Sequence, residues 1–300
     1  MAKTLLVVDG HSIAMRCFYA LERSEEGHKV TKEGVCVSAT NGFLKTVLGV
    51  LDVIKADHLV VAFDSSKPTF RHSIDPSYKA GRVEKPYEFL IDLEVLKHVL
   101  KVLEIPQYAL NGYEADDIIA AVVGDAVNAG FVVRILTTDR DLYQLVNKFV
   151  NVVNLDGSLV DRHVVKEKLG VYPEQVIDYK ALAGDSSDNI KGVPKVGPKK
   201  AAQLLYEFNT LDSIYREIDS VSSDGLRDKL LVNKEQAYRC KELATIVKAP
   251  IEVDLLKANK DLFNITKGQE ALRTIGLEDL AYELRLLKDY DNWADMLTLI

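Results

Sequence analysis

Three carboxylates stand within four residues, at the start of an apolar run that ends near Gly130. They are Glu114, Asp116 and Asp117. The run predicts a buried helix of about four turns, on which Glu114 and Asp117 share one face. A helix N-terminus favours negative charge, which accounts for one acid or even two. A third acid adds like-charge repulsion, so a bound divalent cation is the alternative to capping, and this motif alone leaves both open.

Three predicted strands each end in an aspartate. The strands begin at residues 4, 58 and 131, and they lead to Asp9, Asp64 and Asp139. Ligands in open α/β sheets bind at the carboxyl edge of the strands. Each of these aspartates taken alone fits a turn residue or a helix cap. Together, with Asp141 and the acids around Glu114, they predict a charged bowl that metal ions must neutralise.

Strands that alternate with helices predict an α/β fold with a doubly wound, mostly parallel sheet and helices on both faces. The predicted strands are 4–8, 58–63, 131–137, 150–154 and 158–160, and the first predicted helices are 12–21, 39–55 and 87–103. After about residue 170 the composition is typical of helices, with one short strand at 250–256 and a final amphipathic helix that reaches residue 300. We therefore predict two domains, 1–170 and 171–300.

Residues 65–86 form a basic stretch that prolines interrupt. Its basic residues are Lys67, Arg71, Lys79, Arg82 and Lys85. The stretch lies between a strand end and the next helix, so we expect an arch or clamp over the acidic edge, at about 65–105. A solvated surface loop is the alternative. The pair Tyr78-Lys79 favours contact with nucleic acid, through stacking and phosphate pairing.

Residues 192–201 follow the pattern Gly-x-Pro-x-x-Gly-x-Lys-x-Ala and lead into an apolar-periodic helix. The glycines let backbone N–H groups approach a phosphate, and the helix N-terminus adds partial positive charge. Lys195, Lys199 and Lys200 add three full charges. The pattern predicts a helix-hairpin-helix at about 184–210 that grips DNA backbone; an ordinary helix connection is the alternative. Asp185 and Asp188 stand at the start of this stretch, three residues apart.

The overall composition excludes some classes of protein. The chain has 300 residues, of which 47% are hydrophobic and 28% charged, and a net charge of −7 that by itself argues mildly against a nucleic-acid partner. Three cysteines without CxxC spacing favour a reducing compartment over a disulfide framework. No apolar run is long enough to span a bilayer, and the first strand leaves no room for a signal peptide. We expect a cytoplasmic protein with no membrane partner.

With these motifs in view, the chain resembles the 5′-nuclease family. That family comprises the 5′→3′ exonuclease domain of bacterial DNA polymerase I, its stand-alone bacterial and phage relatives, and the flap endonucleases. The matching stretches are residues 8–10 with Arg16, 62–64, 70–72, 78–82, 112–117, 138–145, 184–189 and the hairpin. The resemblance covers nearly the whole chain and implies a PIN-like fold followed by a helical domain. Because no polymerase follows, a stand-alone nuclease is expected.

The resemblance also implies two divalent cations, Mg²⁺ with Mn²⁺ as a substitute, held by acids alone. The acids implied at the first ion are Asp64, Glu114, Asp116 and Asp117, with Asp9 close by. Those implied at the second ion are Asp139, Asp141, Asp185 and Asp188. Oxygen ligands of this kind suit hard cations. A K⁺ ion at the hairpin turn is implied as well.

The expected reaction is hydrolysis of DNA phosphodiesters at free 5′ ends or 5′ flaps, carried out by a monomer. Lys79 and Arg82 would neutralise charge that develops on the scissile phosphate. Tyr78 would stack on the unpaired terminal base. Arg16, Arg71 and the three hairpin lysines would contact the DNA, and the hairpin would fix its register without reading sequence.

Three other functions stay open at this point. They are a single-stranded ribonuclease on a related acidic fold, a DNA-structure-binding protein with a decayed site, and an acidic α/β phosphatase. The hairpin and the pair Asp185 and Asp188 argue against the ribonuclease, and the complete acid sets argue against decay. A phosphatase would need an Asp-x-Asp pair after the first strand, where Asp9 is instead followed by Gly10 and His11.

Overall fold

A computed structural model describes residues 2–23 and 27–284 of the chain. Its six strands are β1 Thr4–Asp9, β2 His58–Ala62, β3 Gln107–Tyr108, β4 Val132–Leu136, β5 Val150–Val153 and β6 Leu159–Val160. They form one sheet in the order β3-β2-β1-β4-β5-β6. All neighbouring pairs are parallel except β5 and β6. The carboxyl ends of β1, β2 and β4 therefore meet at one edge.

The sheet is covered on both faces, which is why its strands are continuously apolar. Leu5 and Val7 of β1 face one buried cluster, and Leu6 and Val8 face the other. The helices of the α/β part are α1 Gly10–Glu22, α2 Ser38–Ile54, α3 Phe70–Ile74, α4 Tyr87–Val102 and α5 Ala115–Asn128. Helix α5 packs on the Leu5 side, and α1, α2 and α4 pack on the Leu6 side.

The rest of the described chain is helical. Its helices are α6 Arg162–Leu169, α7 Val176–Ala183, α8 Pro198–Phe208, α9 Leu211–Arg216, α10 Asp224–Val232, α11 Lys234–Ala244 and α12 Ile265–Thr274, and residues 278–284 are helical as well. Helices α6 to α11 extend the same core that covers α5, whereas α12 packs on the opposite face, in the cluster of Leu6. The predicted fold class, a mostly parallel α/β sheet followed by a helical region, is confirmed. The predicted division at residue 170 stays a prediction, because the described residues on its two sides share one core.

Three local predictions differ from the structure. Residues 250–256 form no strand; they have no regular structure and end in a turn, and Ile251, Val253 and Leu255 pack on the core, which explains their alternation. Strand β3 was not predicted, because a strand of two residues is too short to show an alternation of polar and apolar side chains. The final helix was predicted to reach residue 300, but residues 285–300 lie outside the described residues.

The predicted arch, residues 65–105, includes helix α4, which does not fit that role, and an arch over the remaining residues stays a prediction. Helix α4 buries Phe89, Leu93 and Leu96 in the core, so it supports the fold and does not cross over the acidic edge. The part that borders the edge is residues 75–86, which we call the basic loop. No helix in the described part of the chain has both the length and the apolar character needed to cross a bilayer.

Candidate active site

The carboxyl edge of the sheet brings Asp9, Asp64 and Asp139 together. Gly10 makes the close approach of the first two strand ends feasible: a Cβ atom there would lie 2.4 Å from the Phe63 ring and 2.7 Å from the Ala62 carbonyl oxygen. The Asp64 carboxylate accepts a hydrogen bond from the Ala115 N–H at 2.9 Å. The end of β2 therefore sits directly on the N-terminus of α5, where the other acids lie.

The acids line two adjoining clefts. The first has a volume of about 220 Å³, and its acidic lining is Asp9, Asp64, Glu114, Asp116 and Asp139. The second has a volume of about 620 Å³, and its acidic lining is Asp139, Asp141 and Asp185. Asp139, Ser12 and Arg82 border both clefts. Eight acids predicted from the sequence thus gather at one edge, the eighth being Asp188, whose partners lie on the basic loop.

The basic loop places two cations against these acids. The Lys79 ammonium lies 2.8 Å from the Glu114 carboxylate. The Arg82 guanidinium lies 2.7 Å from the Asp188 carboxylate, which is itself nearly buried. The loop is thus held on the acidic edge by ion pairs, and its two predicted catalytic residues face the clefts.

Lys180 is a site residue that the sequence analysis missed. Its buried ammonium binds the Asp141 carboxylate and lies 2.7 Å from that of Asp185. These neighbours raise the pKa of Lys180 despite its burial, so it is charged at neutral pH. A signal was present, because a lysine within the apolar helix α7 needs an acidic partner, and Asp185 follows five residues later.

His11 and Lys85 complete the basic lining of the first cleft. The His11 ring nitrogen Nδ1 accepts a hydrogen bond from the Asp64 N–H at 3.1 Å. Burial lowers the pKa of His11 to about 4, so the ring is neutral at pH 7 and suited to accept that bond. Lys85 lies near Asp64, and burial lowers its pKa as well. The sequence placed His11 two residues after Asp9, and therefore near the carboxyl edge of the sheet, which could have indicated that it lines the site.

The electrostatics of the clefts fit divalent cations. Burial, followed by the charge of Asp64, raises the pKa of Asp9 to about 7. Burial and the charge of Asp139 raise the pKa of Asp141 to about 7 and that of Asp116 well above its ordinary value. Oxygen-only donors that repel one another in a low dielectric are the set that Mg²⁺ or Mn²⁺ would stabilise.

Neither predicted set of metal ligands converges on a single ion position. Within residues 2–23 and 27–284, no three acidic, histidine or cysteine side chains converge closely enough to hold one ion. The reason is visible in the ion pairs, since Lys79, Arg82 and Lys180 draw the carboxylates towards themselves. The assignment of individual acids to the two ions stays a prediction.

Asp117 and Arg71 do not fit their predicted roles. Arg71 is 2% exposed and donates two hydrogen bonds to Asp117, at 2.8 and 2.9 Å. It also donates to the carbonyl oxygens of Leu243 and Thr245. Asp117 is fully buried and accepts a further bond from the Val247 N–H. Arg71 therefore cannot reach DNA, and Asp117 faces the core and not the metal clefts.

Tyr78 does not fit the stacking role either. The residue is 4% exposed, and its hydroxyl lies 3.2 Å from Glu114 and 3.0 Å from Asp188, to which it donates hydrogen bonds. Its ring packs edge-on against His72. A buried ring cannot stack on a base, so Tyr78 instead fixes the position of two acids.

The remaining predicted DNA contacts are exposed. Arg16 lies on the surface of α1, and Lys195, Lys199 and Lys200 lie on the surface around the start of α8. Gly197 precedes that helix, and no side chain caps it. Its first N–H groups are thus left for an external acceptor, as a phosphate-binding helix requires.

Comparison with family models identifies the chain. Residues 4–170 match the N-terminal resolvase-like domain of 5′-3′ exonucleases, and residues 171–265 match their C-terminal SAM fold. The matches cover most of the chain, so it belongs to the 5′-3′ exonuclease family. The family that the motifs indicated is confirmed.

Relatives in sequence are longer proteins. DNA polymerase I of Bacillus subtilis (strain 168) is 38% identical over 288 residues, which are 94% of this chain and 32% of the relative. The thermostable DNA polymerase I of Thermus thermophilus is 39% identical over 251 residues, which are 83% of this chain and 29% of the relative. The chain thus spans about a third of the length of these curated relatives.

Solved structures share the fold. The bacteriophage T5 D15 protein, co-crystallised with metal ions, has a TM-score of 0.66 at 21% identity, over 96% of this chain and 99% of that one. Flap endonuclease-1 from Methanococcus jannaschii has a TM-score of 0.61 at 13% identity, over 94% of this chain and 90% of that one. At these identities the likeness shows the fold alone.

The neighbours Asp116 and Asp117 provide a test of the revised site. Asp116→Asn should weaken Mn²⁺ binding about tenfold or more without lowering the free energy of unfolding of the metal-free protein. Asp117→Asn should lower that free energy by roughly 2–4 kcal/mol, because it leaves Arg71 without its buried charge partner. Titration calorimetry with Mn²⁺ and urea unfolding measure the two effects. Loss of Mn²⁺ affinity in Asp117→Asn with unchanged stability would restore Asp117 as a ligand.

The raised pKa of Asp9 predicts a pH-dependent stability. Its folded pKa, about 7, lies above its ordinary value of 3.8, so the charged carboxylate destabilises the metal-free fold above pH 7. Asp9→Asn should raise the free energy of unfolding at pH 8 by roughly 1–3 kcal/mol, and the gain should shrink as the pH falls from 7 towards 4. Urea unfolding in EDTA measures it. The exposed Asp125 supplies the control, since Asp125→Asn should change stability by less than about 0.5 kcal/mol.

Proposed function

We propose that this chain is a structure-specific 5′-nuclease. It hydrolyses DNA phosphodiesters in the presence of divalent cations, removes nucleotides from free 5′ ends and cuts 5′ flaps, in DNA replication and repair. The products carry a 5′-phosphate and a 3′-hydroxyl. The observation that supports this most is the meeting of seven carboxylates in adjoining clefts, with Asp188 beside them and with Lys79 and Arg82 at their border.

Two ions, Mg²⁺ or in its place Mn²⁺, fit the donor chemistry of these clefts. The first would be held by Asp64, Glu114 and Asp116 with Asp9, and the second by Asp139, Asp141, Asp185 and Asp188. When bound, such ions supply hydroxide at neutral pH and stabilise charge on the attacking and leaving oxygens. Asp117 is left out of the set, because Arg71 and the core hold it.

The basic loop acts on the scissile phosphate. Lys79 and Arg82 exchange their carboxylate partners, Glu114 and Asp188, for the phosphate oxygens. There they stabilise the negative charge that grows in the transition state. Tyr78 stays buried and holds Glu114 and Asp188 by hydrogen bonds while its neighbours move. Lys180 keeps the Asp141 and Asp185 carboxylates close together in the second cleft.

The hairpin holds duplex DNA away from the cut. Lys195, Lys199, Lys200 and the uncapped start of α8 present positive charge to the phosphate backbone. Structural relatives include a complex of the T5 D15 flap endonuclease with DNA and metal ions and the catalytic core of Rad2 with a DNA substrate. DNA is the proposed substrate because the chain belongs to the 5′-3′ exonuclease family, and these complexes show proteins of the same fold with DNA bound.

Further features are part of the proposal. The protein works as a monomer in the cytoplasm, and a K⁺ ion binds at the hairpin turn between Gly192 and Gly197. Arg16, which is exposed on α1, contacts the DNA.

An end-labelled 5′-flap substrate tests the function. The wild-type chain should release the flap in Mg²⁺ and not in EDTA, and blocking the 5′ terminus should separate endonuclease from exonuclease products. Asp116→Ala should abolish cleavage and still bind the flap in Ca²⁺. Full turnover in Asp116→Ala would refute the metal assignment.

The same assay addresses the alternatives. Preferred digestion of single-stranded RNA over flapped and single-stranded DNA would replace the proposal with a ribonuclease. Tight flap binding with no cleavage in either Mg²⁺ or Mn²⁺ would replace it with a DNA-structure-binding protein.

The hairpin has its own test. Lys199→Ala/Lys200→Ala should weaken duplex binding and flatten the plot of log affinity against log salt by about 1–2, because each lost phosphate contact removes roughly 0.9 from the slope. Fluorescence anisotropy at several salt concentrations measures it. Lys257→Ala/Lys267→Ala, near the opposite edge of the sheet, is the matched control and should leave the slope unchanged. An unchanged slope in the first variant would show that the hairpin is not the DNA grip.

A further inference from the structure

Residues 184–190, which we call the acidic loop, connect α7 to the hairpin as a closed unit. Backbone hydrogen bonds of 2.7 Å join Asp185 and Ile190 in both directions. Gly184 is the first residue of the loop, and Gly192 lies two residues beyond its end. The two pack so closely that a Cβ atom on Gly192 would lie 2.4 Å from the Gly184 nitrogen. Just beyond the loop, the Val193 N–H donates to the Leu182 carbonyl oxygen at 2.8 Å. The hairpin is thereby seated directly on the acidic loop.

The tip of the acidic loop is bonded to the basic loop by backbone groups as well as by charges. The Lys79 N–H donates to the Asp188 carbonyl oxygen at 3.0 Å. The Asn189 side-chain amide donates to the Ser77 carbonyl oxygen at 2.7 Å. These two bonds bracket Tyr78 and position the backbone that carries Lys79. They involve neither the carboxylates that metal ions would bind nor the side-chain cations that phosphate would bind, so they persist when the ion pairs exchange.

Two residues in this contact have left-handed backbones. Lys79 has φ of 57° and Asn189 has φ of 57°. Non-glycine residues adopt this region at a cost, and asparagine does so more readily than most. The contact thus selects asparagine at 189 for two reasons, its backbone tolerance and its amide donor. The mechanism proposed above uses neither property.

We infer that Asn189 is a positioning residue that sets the distance between the hairpin and the catalytic side chains Lys79 and Arg82. The inference rests on the proposed nuclease function. The hairpin holds duplex backbone, the basic loop holds the phosphate to be cut, and the acidic loop joins the two rigidly. The Asn189 amide closes this connection through a backbone carbonyl oxygen, without taking part in charge exchange. It therefore determines which phosphate along the strand reaches the clefts.

Asn189→Asp and Asn189→Gly test this role together. Asp keeps the size and left-handed tolerance but removes the amide donor, and Gly keeps the backbone conformation without the side chain. In both variants the cleavage of a labelled flap should spread over neighbouring phosphates. Turnover should fall about tenfold or more, because a small misplacement of catalytic groups is costly. Flap affinity in Ca²⁺, which reports the hairpin grip, should stay unchanged.

Asn264→Asp is the matched control. Asn264 also donates an amide hydrogen bond, to Glu104 at 3.1 Å, at the end of the molecule away from the clefts. This variant should retain the wild-type cut position. Wild-type product lengths and turnover in both Asn189 variants would overturn the inference while leaving the nuclease function intact. Equal loss of flap affinity and turnover, with one unchanged cut position, would reduce Asn189 to a general structural role. Failure of the wild-type chain to cut would refute the function itself.

Discussion

The structure depends most on one buried ion pair, between Arg71 and Asp117. The Arg71 guanidinium joins the short helix before the basic loop to the first turn of α5 and to the C-terminal end of α11. A buried bidentate pair of this kind is costly to break, because either partner alone is left as an uncompensated charge. The pair therefore fixes three parts of the chain relative to one another: helix α3 before the basic loop, the N-terminus of α5 with Glu114, and the C-terminal end of α11.

Around that pair, the acidic edge carries strong like-charge repulsion in a low-dielectric setting. Lys79, Arg82 and Lys180 offset part of it by direct ion pairs. Asp9, Asp116 and Asp141 remain with raised pKa values, because burial and neighbouring carboxylates disfavour their charged forms. Bound divalent cations would offset this imbalance, whereas the metal-free edge repels an anionic phosphate. The basic side chains that stabilise the metal-free protein are the ones a substrate phosphate would recruit.

Much of the site was readable from the chain order. Parallel strands end at one edge, so aspartates after β1, β2 and β4 had to meet there whatever the details of packing. The hairpin was readable as well, because its glycines, prolines and lysines act through backbone conformation and charge, which are local properties. The predicted bounds of the arch, 65–105, wrongly included α4, because the role of that helix depends on tertiary packing and not on local properties. Helix α4 looks similar in sequence whether it bridges a cleft or supports a core, and only its buried face distinguishes the two.

The sequence by itself determined the fold class, the edge at which the acids gather and the hairpin, because periodicity, chain order and turn residues are sufficient for these. Only the tertiary structure decided which acids face the clefts. Adjacent residues on a helix point about 100° apart, and the packing of α5 turns Asp116 towards the clefts and Asp117 towards Arg71. Contacts across long sequence separations, such as Asn189 with Ser77 and Lys180 with Asp141, were likewise invisible, because spacing along the chain carries no information about them.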